Sequence, residues 1–152
     1  MAPLLFLCGM LYVNFLEWAA HKYLLHGLGK KKGSLFSFHW FHHRLCRTNH
    51  YYDLEYKDPW WSRWSRSKEV MGLFFLFLIH SPILLISIPF YAGASFQGFL
   101  YYFLHSKSHM NPEWTKKWMP WHYDHHMGKN QNFNWCVTYP FWDYVFRTRK
   151  KY

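Results

Sequence analysis

Apolar residues of this chain lie in two long runs that are separated by polar blocks rich in aromatic residues. The first run covers residues 3–20 and carries a single charge, Glu17, near its end. At ~1.5 Å per residue, a helix of this length would be ~27 Å long, which is enough for a thin hydrocarbon core. The run therefore predicts one transmembrane helix.

The second run, residues 70–104, contains no Asp, Glu, Lys or Arg. A single helix of that length would be ~52 Å long, far more than the ~30 Å core. We therefore expect a hairpin of two short spans. Its turn is predicted at residues 89–95, where Pro89, Gly93 and two small residues weaken a helix. Residues 1–152 then form a single all-helical membrane domain with about three transmembrane helices.

The basic residues predict the orientation of these spans. All 18 Lys and Arg lie in residues 22–68 and 107–151, and the net charge is +10. By the positive-inside rule, both blocks face the cytoplasm as a helical cap and the N-terminus faces away. We expect the bacterial inner membrane or the endoplasmic reticulum. Nucleic acid is the other usual partner of such a charge, but no nucleic-acid-binding motif is visible.

The two polar blocks also carry tryptophans beside basic residues. Aromatic residues make up 24% of the chain. Six tryptophans adjoin Lys or Arg at close spacing: Trp60, Trp61, Trp64, Trp114, Trp118 and Trp121. Segments of this kind lie in the plane of the lipid headgroups. The alternative is a packed tryptophan core beneath a charged surface.

Ten of the twelve histidines fall into four clusters. In chain order they are His21 and His26; His39, His42 and His43; His105 and His109; and His122, His125 and His126. Helical positions i, i+3 and i+4 share a face, so each HxxHH predicts three imidazoles directed at one point. Residues five apart lie about 140° around a regular helix. The first pair would therefore converge only if the helix ended between them, or if each bound a different metal.

Imidazole binds zinc, copper, iron and nickel. Ten imidazoles exceed the four to six ligands that one ion takes, so the pattern predicts two ions with about five histidines each. Five neutral ligands leave an open position on a metal that prefers six, and oxygen chemistry on iron requires such a position. We expect two iron ions, or zinc in recombinant protein, because nitrogen ligands bind Zn²⁺ more tightly than Fe²⁺.

Four further residues can each have one of two roles. Metal-bound histidine usually donates its other nitrogen to a carboxylate or carbonyl, so Glu17 and Asp124 either orient ligands or form surface ion pairs. His50 either supports a ligand or is an ordinary surface residue. His80, about ten residues into the second span, is either a functional group within the membrane or, as we favour, a neutral histidine bonded inside the bundle.

The histidine clusters and their flanking residues resemble the fatty acid hydroxylase superfamily, which includes fatty acid 2-hydroxylases, sterol desaturases and oxidases, and carotenoid hydroxylases. The resemblance covers roughly residues 14–148, and the order of clusters is most similar to the fatty acid 2-hydroxylase branch. It is carried by EWAAHKYLLH (17–26), FHWFHH (38–43), YYFLHSKSH (101–109), WHYDHH (121–126) and the closing NFNWCVTYPFWDYVFRT (132–148).

This resemblance implies a dinuclear centre above a helical membrane stem, with the ten clustered histidines as ligands and O₂ as the oxidant. There are four departures. Arg147 stands where the family's closing signature usually has Gly, and Trp135 and Cys136 replace a pair that contains Gly. The stem is one span short of the usual four, for which a homo-oligomer or a compact bundle could compensate. No fused haem-binding domain is present, so electrons are expected from a separate protein.

The function expected is insertion of one oxygen atom into a C–H bond of a lipid or fatty acyl chain that enters from the bilayer. Residues 101–103 either line that entry path or simply pack. Beyond the metal ligands the sequence identifies no catalytic residue. The first alternative is a desaturase, or a sterol or carotenoid oxidase, that uses the same site. The second is a metal-binding or metal-transporting membrane protein, which is disfavoured because only His80 lies deep in a span.

Overall fold

The computed structural model describes residues 1–152, which form helices joined by short loops without any β-strand. The α-helices are α1 (Ala2–Ala19), α2 (Phe38–Thr48), α3 (Trp64–His80), α4 (Ile88–Met110), α5 (Pro112–Trp118), α6 (Pro120–Met127) and α7 (Phe141–Val145). The all-helical class predicted from the sequence is therefore confirmed.

Two stretches of helix are long and apolar enough to cross a membrane. The first joins α1 to a π-helical segment (Ala20–Gly27) and a 3-10 turn, so that continuous helix runs over the 29 residues Ala2–Lys30. The second covers the 22 residues Trp64–Leu85. The third predicted crossing corresponds to α4, which has 23 residues and is not among these two.

The predicted position of the hairpin turn, residues 89–95, is wrong. The chain reverses earlier, through the 3-10 helix Ser81–Leu85. Pro89 lies in the first turn of α4, where a missing N–H costs no helical hydrogen bond. The Ser87 hydroxyl caps the helix by accepting from the Phe90 N–H at 3.4 Å. Proline therefore starts this helix and does not interrupt it.

The glycine that suggested a turn is used for close packing of α1 against α4. A Cβ added to Gly93 would collide with the carbonyl of Phe6, and one added to Gly9 would collide with the carbonyl of Phe90. Small residues at such positions let two helix backbones approach closely in a membrane. In contrast, α3 meets α4 around Phe77, whose carbonyl accepts from the Tyr91 hydroxyl at 3.2 Å. A cleft remains between α1 and α3.

The buried interior of the molecule is largely polar. Its one cluster of buried hydrophobic residues consists of Trp18, Trp135 and Cys136, whereas all ten clustered histidines are buried. Of the six tryptophans beside basic residues, four are exposed, including Trp61 at 70% and Trp118 at 58%. The exposed rings rule out a tryptophan core at these positions and suit a headgroup environment.

Candidate metal centre

Five of the clustered histidines form a first group in which one ring nitrogen of each approaches the others. These ligand atoms all lie within 4.8 Å of one another, and we call the set group 1: His21, His26, His39, His43 and His125. They come from the π-helical segment, α2 and α6. Three separate elements therefore meet at one point.

The Nε2 atoms in group 1 are spaced like ligands around a cation. The Nε2 of His39 lies 2.9 Å from that of His21 and 3.0 Å from that of His43. Since His21 and His125 direct Nδ1 at backbone carbonyls, their Nε2 atoms carry lone pairs and cannot donate to one another. Metal–nitrogen bonds of ~2.1 Å at right angles would place neighbouring ligands ~3.0 Å apart. The donor set thus fits a metal ion.

Four histidines form a second group on the other side of α2. Their ligand atoms also lie within 4.8 Å of one another, and we call this set group 2: His42, His105, His109 and His126. The tenth histidine adjoins them, because the Nε2 of His122 lies 3.1 Å from the Nε2 of His109. Both ring nitrogens of His126 are buried without any hydrogen-bond partner. Buried polar atoms seldom remain unpaired, and a metal ion would give His126 its partner.

Each HxxHH triplet is divided between the two groups, so the expectation that it converges on one point is wrong. In α2, His39 and His43 belong to group 1 and His42 to group 2. In α6, His126 belongs to group 2 and His125 to group 1. Consecutive residues on a helix are about 100° apart. The i, i+4 pair therefore stays together while the third histidine faces the other centre, and α2 and α6 bridge both.

A π-helical segment brings the first pair of histidines together. His21 and His26 lie in Ala20–Gly27, where hydrogen bonds run from residue i to i+5, so residues five apart are stacked along one face. Their ring centroids are 5.1 Å apart. Neither alternative derived from a regular helix applies, because the helix continues past both residues and both belong to group 1.

Backbone carbonyls hold the rings of group 1. The Nδ1–H of His21 donates to the carbonyl of Trp135 at 2.5 Å, and that of His125 donates to Phe133 at 2.7 Å. Both carbonyls belong to the loop that precedes α7. The Gln131 side-chain amide lies 2.6 Å from His43 Nδ1. Group 1 is therefore oriented by uncharged groups from one loop.

Carboxylates hold two rings of group 2. The Nδ1–H of His42 donates to Asp53 at 2.6 Å, and that of His105 donates to Glu69 at 2.5 Å. The Tyr56 hydroxyl donates to Glu69 at 2.7 Å and lies 2.9 Å from His105 Nδ1. Burial alone would raise the pKa of Asp53, but the hydrogen bond and charge of His42 outweigh it and keep the pKa below its ordinary value. Ionised acceptors of this kind fix the tautomer and make the ligand more basic.

Three residues that hold the ligands were not predicted from the sequence: Asp53, Glu69 and Tyr56. A signal for Glu69 was present, because Glu69 and His105 flank the two ends of the predicted hairpin at residues 70–104. The two ends of a hairpin lie side by side. No comparable signal marked Asp53, which lies in an irregular loop and contacts His42 from there.

Glu17 does not contact a histidine. Its carboxylate accepts from the backbone N–H of Val137, and from the backbone N–H and hydroxyl of Thr138 at 3.1 and 2.9 Å. It therefore acts on the segment that carries the Trp135 carbonyl, and through that carbonyl on His21. The expectation that Glu17 contacts a ligand directly is therefore wrong, and its effect on His21 is indirect.

The other three residues for which the sequence left two roles open lie outside both groups. Asp124 pairs with Arg149 at 3.2 Å, as the ion-pair reading expected. His50 is exposed and has a left-handed backbone with φ 53°. His80 ends α3, where its Nδ1–H donates to the Leu76 carbonyl at 2.7 Å and its Nε2 accepts from the Tyr12 hydroxyl at 2.9 Å. It is a bonded histidine within the bundle, as the sequence favoured.

Burial keeps five of the clustered imidazoles neutral, whereas at His42 desolvation is outweighed by Cys46 and Asp53, which raise the pKa to about 9. Desolvation, joined by the charges of neighbouring histidines, holds the pKa of His39, His43, His122 and His126 well below the ordinary value. Desolvation also lowers the pKa of His125 to about 3. A neutral imidazole has a free lone pair, which is the form that binds a metal.

The closing segment forms a loop that is tied together by one buried carboxylate. Asp143 accepts from the backbone N–H groups of Trp135 and Cys136 at 2.9 and 2.8 Å and from the Thr148 hydroxyl at 2.6 Å. Arg147 has a φ of 56°, in the left-handed region that glycine adopts without strain. This conformation explains why a glycine suits the position where the chain has arginine.

A cavity of about 810 Å³ fills the cleft between α1, α3 and α4. Of its 26 lining residues 15 are hydrophobic, and four are histidines of the two groups: His21, His39, His42 and His105. His80 also lines it. Since His80 is eleven residues from Glu69 along α3, the cavity extends ~16 Å from group 2. Of residues 101–103, only Tyr101 lines it.

The sequence profile of the fatty acid hydroxylase family matches residues 6–148 of the chain. Neither the curated proteins nor the solved structures contain a match. The profile covers both histidine groups, the cavity and the closing loop.

Proposed function

Because the chain belongs to the fatty acid hydroxylase family, we propose that it is a membrane-bound di-iron oxygenase that hydroxylates a lipid or fatty acyl chain. The family identifies an oxidoreductase of the membrane, and the histidine groups identify where it would hold metal. The observation that carries the finer proposal is the position of both groups at one end of a long apolar cavity.

The proposed ligands are the ten clustered histidines, five for each ion. Group 1 supplies five, and His122 joins the four members of group 2. When bound, two iron ions supply activation of O₂ for insertion of one oxygen atom into a C–H bond. Zinc is the expected occupant of recombinant protein that has not been supplied with iron, because nitrogen ligands prefer it.

The chain's own residues position the substrate and exclude water. The wall of the cavity is mostly hydrophobic, so an extended acyl chain fits there better than a polar molecule. Two histidines of each group reach the cavity, and one methylene of the chain would therefore lie against both centres. Asp53 and Glu69 accept from Nδ1 of His42 and His105, so that Nε2 is the ring atom that these two histidines direct at the metal.

The proposed membrane arrangement has three crossings, with α4 as the third. The N-terminus and residues 81–87 face away from the cytoplasm, and the histidines face it. The basic residues support this arrangement. All 18 Lys and Arg lie in residues 22–68 and 107–151, and none lies near the N-terminus or in residues 81–87. Electrons would then come from a separate cytoplasmic protein.

Cysteine labelling tests that arrangement. In a Cys8→Ser background, which removes the exposed native thiol, Leu85→Cys should react with an impermeant thiol reagent outside intact cells. Leu85 is 91% exposed. Lys151→Cys should remain unlabelled until the cells are opened. Labelling of Lys151→Cys in intact cells would place the histidines on the wrong side.

Lipid mass spectrometry tests the reaction. Cells that produce the protein should accumulate a lipid that has gained one oxygen atom, and cells that produce His125→Ala should not. A lipid that has lost two hydrogens would identify a desaturase instead. Identical lipids in both strains, under conditions where both proteins are present, would contradict the proposal.

A further inference from the structure

A second pocket, of about 450 Å³, lies beside the cavity and carries unpaired positive charge. We call it the cationic groove and define it by Lys31, Lys32, Ser37, Arg44 and Trp64. The two lysines and the arginine are exposed. None of the three takes part in any of the five ion pairs of the chain. The groove therefore offers three charged groups to an outside anion.

The groove lies beside the ends of both candidate spans, where these helices would leave the hydrocarbon. The first span ends at Lys30, directly before the two groove lysines, and the second begins at Trp64. Trp64 is 50% exposed, and tryptophan concentrates at the boundary between lipid and water. Lys and Arg at this depth attract anionic headgroups.

The groove and the apolar cavity share one wall. Ser37 faces the groove, whereas its neighbours Phe36 and Phe38 line the cavity. The ring of Phe38 packs against that of Trp64 with centroids 6.4 Å apart. An amphiphile could therefore place a charged headgroup in the groove and its chain in the cavity on the other side of this wall.

We propose that the cationic groove binds the anionic headgroup, a phosphate ester or a carboxylate, of the lipid whose acyl chain occupies the cavity. The inference rests on the proposed function for the identity of that chain as substrate. An acidic electron-donor protein is another possible anion. The depth of the groove and its shared wall with the cavity favour the lipid.

Lipid binding to the purified full-length protein in mild detergent tests the proposal. Dioleoyl phosphatidylglycerol and dioleoyl phosphatidylcholine have the same chains and differ in headgroup charge, so native mass spectrometry can compare their retention directly. The wild type should retain phosphatidylglycerol at least about tenfold better. The triple variant Lys31→Gln, Lys32→Gln, Arg44→Gln should lose this preference.

A matched control separates the groove from net charge. The triple variant Lys117→Gln, Lys129→Gln, Lys151→Gln removes the same charge from exposed positions elsewhere and should keep the preference. Equal retention of both lipids by the wild type, or equal loss of preference in both triple variants, would overturn the proposal.

Two further arms distinguish the sources of the anion. Inorganic phosphate should displace phosphatidylglycerol only at concentrations far above that of the lipid, because it lacks a chain for the cavity; displacement at equal concentration would overturn the two-part binding. Unchanged lipid retention with slower reduction by an acidic donor would assign the groove to a protein instead. Lipid retention does not require turnover, so the two proposals can fail separately. Oxygenated product without a preference for phosphatidylglycerol would overturn only the headgroup site in the groove. A preference for phosphatidylglycerol without oxygenated product would overturn only the proposed function.

Discussion

The two histidine groups differ in what holds their rings. In group 1, His21 and His125 donate to backbone carbonyls of one loop. In group 2, His42 and His105 donate to the carboxylates of Asp53 and Glu69. A carboxylate makes imidazole a stronger ligand than a carbonyl does. We therefore expect group 2 to hold its ion more tightly, and group 1 to depend on the integrity of the closing loop.

The largest effect should come from removing a ligand of either group. His42→Ala and His125→Ala should each abolish activity, because both groups face one cavity and one reaction needs both. Metal analysis should show that His125→Ala mainly loses the ion of group 1. His50→Ala and His80→Ala are the controls and should keep their metal, since neither lies in a group. Loss of metal from His80→Ala equal to that from His125→Ala would refute the ligand assignment.

Asp53→Asn should lower the affinity of group 2 for its ion by about 10- to 100-fold, which is the usual cost of removing such a partner. Asparagine keeps the shape but loses the charge that orders His42. Titration with a chelator, followed ion by ion, measures the change. The matched control is Asp58→Asn, which breaks only the half-exposed pair with Arg63 and should change nothing. Equal weakening of both ions would contradict the difference between the groups.

Glu17→Gln should act on the other group and by another route. The glutamine would turn a donor toward at least one N–H or hydroxyl group of residues 137–138, which costs about 1–3 kcal/mol of unfolding free energy. Because the same segment carries the Trp135 carbonyl, the group 1 ion should also dissociate faster. Thermal unfolding in detergent and metal release measure the two effects. A loss of stability with unchanged metal release would show that Glu17 is purely structural.

Arg147→Gly should have the smallest effect, and it should be stabilising. The left-handed backbone at φ 56° costs a non-glycine residue about 1 kcal/mol or more, and glycine regains this at some cost in unfolded-state entropy. We expect the free energy of unfolding to increase by up to about 1 kcal/mol. Arg147→Ala, which shares the strain, should give no such gain; an equal gain from alanine would assign the effect to the lost charge.

Local sequence patterns predicted the class of the fold and the identity of the buried histidines. The apolar runs predicted the long helices, and the clusters identified the buried histidines, but their spacing predicted that each triplet meets at one point, whereas the structure divides it between the two groups. Two features depended on backbone geometry that composition does not reveal. One is the π-helical segment that aligns His21 with His26, and the other is the use of Gly93 for helix contact where a turn was expected.

The carboxylate partners depend on tertiary contacts, and the sequence holds a signal only for Glu69, which lies at the opposite end of the predicted hairpin from His105. Asp53 reaches His42 through a loop without regular structure, and Glu69 reaches His105 across 36 residues. Conversely, Glu17 lies one helical turn before His21, yet its carboxylate turns to the closing loop. Closeness along a helix therefore did not identify the groups that hold the ligands.

Metal content per chain tests the central claim of two distinct centres most directly. The protein would be purified gently from iron-supplied cells, and its iron and zinc measured together against protein concentration. Two ions per chain are expected in the wild type, falling to about one in His125→Ala with the remaining ion held by group 2. About one ion per chain in the wild type would contradict the dinuclear assignment, whatever the activity of the preparation.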